Sequence, residues 1–143
     1  MVIHGPNLNL LGIREVEVYG KLTLSQINRN LHTFAKAHQI ELRHFQSNHE
    51  GDIVDFIQKN RKWAHGIVIN PAAYTHYSYA IRDAIAAVEL PAIEVHLSDI
   101  KKREPFRRKS VIKAVCVKQI SGLGWKSYLE GIQFLGRYLR QTK

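Results

Sequence analysis

Five short runs rich in apolar residues, several of them β-branched, recur along the chain at Met1–Ile3, Glu41–Phe45, Gly66–Ile69, Ala92–Val95 and Ala114–Val117. Between them apolar residues fall at helical spacing. Thr23 with Gln26 reads as a capping box, and Leu24, Ile27 and Leu31 then supply one apolar face of a helix running to about His38. Ser47 and Glu50 repeat that spacing ahead of Ile53, Phe56 and Ile57. An alanine-rich stretch from Ser78 to Val88 predicts a third helix. The last helix follows Gly124, with Tyr128, Ile132, Leu135 and Leu139 on its inner side.

Strands alternating with amphipathic helices predict a parallel sheet covered on both faces, because each parallel connection must cross over the sheet. Right-handed crossovers leave few arrangements for 143 residues. The pattern therefore predicts one flavodoxin-like α/β domain in three layers, with five strands in the order 2-1-3-4-5. No repeat, low-complexity tract or linker interrupts it. The exception is the charged segment KKREPFRRKS at 101–110, which reads as a loop.

In such a sheet, ligands bind beyond the carboxyl ends of the strands. The first predicted strand runs into His4, Gly5, Pro6, Asn7 and Asn9, the third ends at Asn70 and Pro71, and the fourth contains or precedes Glu94, His96, Leu97 and Ser98. Asparagine after a strand commonly supports a turn. The coincidence of several such residues with a carboxylate and an imidazole instead predicts a site on this rim. Glu94 and His96 are two apart on a strand, so their side chains leave the same face. There a carboxylate can orient an imidazole and favour its protonated form, which makes a general acid; a buried structural hydrogen bond is the competing reading. The loop GIREVEVYGK places Arg14 and Tyr19 between Gly12 and Gly20, predicting a lid near 12–20 with flexible ends. Tyr19 is a candidate base. A free phenol titrates near pH 10, so it needs a cation beside it, and Arg14 is the candidate cation.

Composition narrows the partners. The net charge of +9 is concentrated at the C-terminal end, where residues 101–143 hold 12 Lys/Arg against 2 Asp/Glu while residues 1–100 are near balance. Such a field suits either nucleic acid or a small anion steered into a cleft. The single Cys116 excludes an internal disulfide framework and a cysteine-rich zinc site, and it suits a reducing, cytoplasmic setting. No apolar stretch approaches the ~20 residues that span a bilayer, and MVIHGPN lacks the apolar core of a signal peptide, so no membrane partner is expected. The eight histidines show no metal-ligand spacing.

The strings GPNLNLLGIRE, VYG, FQSNHEG, INPAAYTH, RDAI, EVHLS, REPFR and SGLG stand in the order and approximate spacing of the type II 3-dehydroquinate dehydratases, and the chain resembles that family over nearly its whole length. The resemblance implies a flavodoxin-like enzyme of the shikimate pathway. It implies anti elimination of water from 3-dehydroquinate through an enolate, without metal or organic cofactor, in a dodecamer of four trimers. Carried onto matching positions, it implies that Tyr19, activated by Arg14, removes a proton beside the ketone. Asn7 would hold a water that stabilises the enolate, and His96, oriented by Glu94, would protonate the departing hydroxyl. Asn70, His76 and Arg107 match substrate-binding positions, and the amides around Leu97 and Ser98 match a carboxylate cradle. Arg103 matches a position near the lid tyrosine, and Asp83 one that reaches a neighbouring subunit's site. The chain departs from the family pattern at Val16, where proline is usual, and at Trp125 and Lys126, where smaller residues are usual. Only three residues precede His4, which predicts a short first strand.

Two other classes fit less well. A flavodoxin-like module for a nucleotide or other small anion would need a Ser/Thr-rich or multi-glycine cradle, which HGPNLNLLG lacks. Nucleic-acid binding through KKREPFRRKS has no accompanying recognition helix or stacking-aromatic motif.

Overall fold

The computed structural model describes residues 1–142. Five parallel strands, β1 (Val2–His4), β2 (His44–Gln46), β3 (Ile67–Asn70), β4 (Ala92–His96) and β5 (Lys118–Ser121), form one sheet in the order β2-β1-β3-β4-β5. This is the predicted order. The helices are α1 (Val16–Tyr19), α2 (Leu24–Ala37), α3 (Glu50–Asn60), α4 (Tyr79–Val88) and α5 (Lys126–Gln141).

Burial follows strand position. β1, β3 and β4 are buried along their whole length, so both of their faces carry apolar residues. One face packs Ile3, Ile67 and Ile69 against Ile53 and Ile57 of α3 and Ile81 and Ile85 of α4. The other packs Val2, Val68, Ile93 and Val95 against Ile27 and Leu31 of α2 and Tyr128, Ile132 and Leu135 of α5. Helices α2 and α5 thus cover one face, α3 and α4 the other.

The edges depart from the sequence reading. β2 is shorter than Glu41–Phe45 predicts because its one neighbour, β1, offers three residues, pairing Val2 with His44 and His4 with Gln46. The fifth strand is not Ala114–Val117. Its first part winds into a 3-10 turn at Lys113–Val115, and β5 begins at Lys118. An apolar run marks a strand only where both faces are buried. β5 pairs with β4 alone and lies half exposed, so its KQIS sequence carries little of that signal.

Helix starts are set locally. Thr23 and Gln26 close a reciprocal capping box on α2, and the Ser78 hydroxyl accepts from the Ile81 amide at 3.0 Å to cap α4. Ser47 does not cap α3, which begins three residues later at Glu50; its hydroxyl accepts from the His49 amide and donates to Asp52.

A buried polar chain ties β1 to two helices. His4 Nδ1 lies 2.7 Å from the Tyr128 hydroxyl and Nε2 lies 2.8 Å from Asn28 Oδ1. An amide oxygen only accepts, so His4 is protonated at Nε2 and takes the Tyr128 proton at Nδ1. Burial lowers the His4 pKa to about 4, well below its ordinary 6.5. In the unfolded chain the imidazole binds a proton below pH 6.5, while in the folded chain it does so only below about 4. Unfolding therefore takes up a proton in that interval, and stability falls as pH drops through it, by up to ~3 kcal/mol. Urea unfolding at pH 7 and pH 4.5 checks this. The loss between the two is expected to shrink by about 2 kcal/mol in His4→Gln, and an equal loss in both proteins would discount the buried imidazole.

Candidate active site

The carboxyl ends of β1, β3 and β4 open into a cleft lined by Asn7, Asn70, His76, His96, Leu97 and Ser98, with Arg14 and Tyr19 over it from one side and Arg103 and Arg107 from another. Ten of the twelve residues singled out in the sequence line this cleft. Of the other two, Glu94 lies directly behind His96. Asp83 does not: it projects from α4 beside Arg82, largely exposed, at 3.6 Å from that guanidinium.

Each wall has a local cause. Gly5 ends β1 with its amide donating to the Asn70 carbonyl at 2.8 Å, and a side chain there would run into the Pro71 carbonyl. This close approach brings the turns after β1 and β3 together, so that Asn7 and Asn70 share one wall. Asn7 is left-handed (φ 66°), a conformation asparagine tolerates, and its amide donates to Asn48 Oδ1 at 2.9 Å. The Asn48 carbonyl in turn accepts from the Tyr74 hydroxyl at 2.7 Å. Asn70 is buried, with Oδ1 accepting from the Ala72 amide at 3.0 Å. The Leu97 and Ser98 carbonyls are held by the amides of Gly124 and Gly122 at 3.0 and 3.1 Å, which fastens the turn after β4 to the loop before α5.

On the floor, His96 Nε2 lies 2.6 Å from Glu94 Oε1. Glu94 has no solvent exposure. Two further donors reach it, Gln119 Nε2 to Oε1 and the Ser110 hydroxyl to Oε2, each at 2.9 Å. His76 donates from Nδ1 to the Lys109 carbonyl at 2.7 Å, which leaves Nε2 as its second polar atom. Burial holds the His76 pKa below its usual value.

The lid side is the single turn α1, entered through Gly12 (φ 90°) and left through Gly20 (φ 88°), both in a region closed to ordinary side chains. Tyr19 closes that turn. Its hydroxyl accepts from Arg103 Nη1 at 3.1 Å, and Arg103 Nη1 also reaches the Ser98 hydroxyl at 3.4 Å. Arg14, expected at the phenol, instead pairs with the Glu15 carboxylate and lies 5.2 Å from the Tyr19 ring centre. That pairing holds the Glu15 carboxyl below its ordinary range. Both cations therefore contact Tyr19, Arg103 at the oxygen and Arg14 at the ring.

Asn48, Ser110 and Gln119, which take part in these contacts, were not singled out from the sequence. Asn48 lies in FQSNHEG, and its brace on Asn7 spans 41 positions. Ser110 closes the basic segment and Gln119 sits in the misplaced fifth strand, so neither carried a signal of its own.

What the arrangement offers chemically is a phenol held by a guanidinium on one side of a cleft and an imidazole backed by a buried carboxylate on its floor. Cations and histidines line the rest. A small anion with an acidic C–H bond and a hydroxyl leaving group meets there both a candidate base and a candidate acid.

Comparison with known proteins agrees with this chemistry. The family described as dehydroquinase class II matches residues 1–136. The chain is 54% identical over 140 residues to the 3-dehydroquinate dehydratase of Halothermothrix orenii, covering 98% of this chain and 95% of that protein. It is 55% identical over 135 residues to that of Roseiflexus castenholzii, covering 94% and 86%. Among solved structures, the type II dehydroquinase of Butyrivibrio crossotus superposes with a TM-score of 0.93 at 50% identity, covering 94% of each chain. That of Propionibacterium acnes gives 0.91 at 36% identity, covering 95% of this chain and 94% of the other. With its strand order and its sequence in agreement, this chain belongs to the type II dehydroquinase family.

Proposed function

We propose that this chain dehydrates 3-dehydroquinate to 3-dehydroshikimate by anti elimination through an enolate. The observation that carries the reading is that Tyr19 and the Glu94–His96 pair border one cationic cleft. Tyr19, as the phenolate, takes the proton beside the ketone, and the electron pair moves onto the ketone oxygen as an enolate. A water held by Asn7 donates to that oxygen, where charge develops. The enolate then collapses, the carbon–oxygen bond to the hydroxyl breaks, and His96 supplies the proton that makes the leaving group water. Proton transfer from Tyr19 back to His96, through solvent, resets the site. Arg103 and Arg14 stabilise the phenolate. Asn70, His76 and Arg107 hold the substrate's hydroxyls, and the turn at Leu97 and Ser98 receives its carboxylate. No step in this sequence requires a metal or an organic cofactor. Segment 12–20 acts as a lid that excludes water and strengthens the pairing of cations with the phenolate.

The product is a conjugated enone, so its ultraviolet absorbance reports the reaction directly. Purified protein mixed with 3-dehydroquinate in the presence of a chelator is expected to produce that absorbance. A flat trace would overturn the reading.

We further infer that the chain assembles into a dodecamer of four trimers. Tyr77, just before α4, and Tyr79, its first residue, are each 59% exposed, and Asp83 lies exposed on the same helix outside its own cleft. A neighbouring subunit's site is the place assigned to Asp83. Among the described residues no helix is long and apolar enough to cross a membrane. The cytoplasm is the proposed location, in keeping with one unpaired cysteine, and no nucleic-acid partner is proposed.

A further inference from the structure

The floor of the cleft holds more donors than a simple carboxylate–imidazole pair requires. Glu94 is without solvent exposure, so every hydrogen bond to it comes from protein. The Ser110 hydroxyl oxygen accepts from the amides of Ile112 and Lys113 at 3.1 and 3.0 Å. A hydroxyl has two lone pairs and one hydrogen, so its remaining capacity is to donate, and Glu94 Oε2 at 2.9 Å receives that hydrogen. Gln119 Nε2 is a donor only, and it lies 2.9 Å from Oε1. Two fixed donors on one buried carboxylate favour its ionised form. The hydrogen shared between Glu94 and His96 then belongs to the imidazole.

We propose that Ser110 and Gln119 are positioning residues that hold Glu94 as a carboxylate, so that His96 is protonated at Nε2 in every state and delivers its catalytic proton from Nδ1. The proposal deepens the dehydratase reading and rests on it for the direction of proton transfer. Nε2 lies 2.6 Å from Glu94, committed to the floor, and Nδ1 is the ring's other nitrogen as His96 borders the cleft. Without the two donors, Glu94 competes for the shared hydrogen. The imidazole is then left without the second proton that makes it an acid.

The same contacts give the basic segment a fixed end. Ser110 closes it, the Lys109 carbonyl accepts from His76 Nδ1, and the Val111 amide donates to the Thr75 carbonyl at 2.9 Å. Arg103 and Arg107 are therefore carried by a strap whose far end is fastened to the acid's own carboxylate. The other titratable groups nearby are His76 and Cys116, the thiol being pushed up to about 12 chiefly by burial. A thiol held there stays protonated and adds no charge against Glu94.

The test uses the intact protein with 3-dehydroquinate as substrate, together with nitrogen-15 NMR of histidine-labelled protein in which the His96 signal is assigned by its loss in His96→Asn. Ser110→Ala and Gln119→Leu are each expected to lower kcat roughly tenfold while KM stays within about twofold, since a bond to a charged group is lost and substrate contacts are not. The neutral His96 of the wild type is expected to carry its hydrogen on Nε2. Gln119 lies on a half-exposed edge strand, so Gln119→Leu still decides the matter should Ser110→Ala fail to fold. Unchanged kcat in the folded variants, a loss confined to KM, or a neutral ring protonated at Nδ1 would each overturn the proposal. A wild-type protein inactive on 3-dehydroquinate would overturn the dehydratase reading instead, and the NMR result would still decide the protonation claim.

Discussion

Tyr19→Phe is expected to lower kcat by about a thousandfold with little change in KM, because phenylalanine keeps the ring against Arg14 and Arg103 but has no oxygen to take the proton. The size follows from what a positioned general base contributes, and the direction from which atom is removed. Steady-state kinetics on 3-dehydroquinate check it, with circular dichroism to establish that the variant is folded. Turnover at a tenth of the wild-type rate or better would move the role of base to another residue. The measurement is sharp because Tyr19 contributes to the fold chiefly through its ring, which the substitution retains.

Arg103→Ala is expected to lower kcat by roughly a hundredfold, and by more than Arg14→Ala does. Arg103 Nη1 bonds the phenol oxygen at 3.1 Å and its side chain is mostly buried, so the pairing is little screened by water. Arg14 spends its charge on Glu15 and meets the ring rather than the oxygen. The reverse order of effects would mean that the lid rearranges on binding substrate until Arg14 exchanges Glu15 for the phenolate. Arg14→Ala combined with Glu15→Gln separates the two cases. If Glu15 holds Arg14 back, Glu15→Gln alone raises activity; if Arg103 does the work, it changes little.

The order of the sheet was readable from the sequence because β1, β3 and β4 are buried on both faces and therefore written mostly in apolar residues. The edges were not, since β2 and β5 each have one neighbour and their residues answer partly to solvent. The Glu94–His96 pair was legible for a simple reason: two positions apart on a strand fixes a shared face whatever the rest of the chain does. Tyr19 and Arg14 were legible as neighbours within a glycine-bounded loop. Arg103 entered only through family resemblance, and its bond to Tyr19 joins residues 84 positions apart. Asn48, Ser110 and Gln119 share that difficulty. Each acts through a partner that becomes a neighbour only when the sheet is assembled, and each has a side chain that is unremarkable in its own surroundings.

The hydroxyl of Tyr128 bonds His4, whose neighbour Gly5 begins the turn to Asn7, so that wall of the cleft leans on α5. His4 and Tyr128 are 124 positions apart, in a chain of 143 residues. During translation, the end of β1 therefore gains this support only once residue 128 has left the ribosome, and a nascent chain halted before α5 docks has that side of the rim without its anchor. The cleft of a competent enzyme is thereby coupled to a segment made well after the strands that open into it.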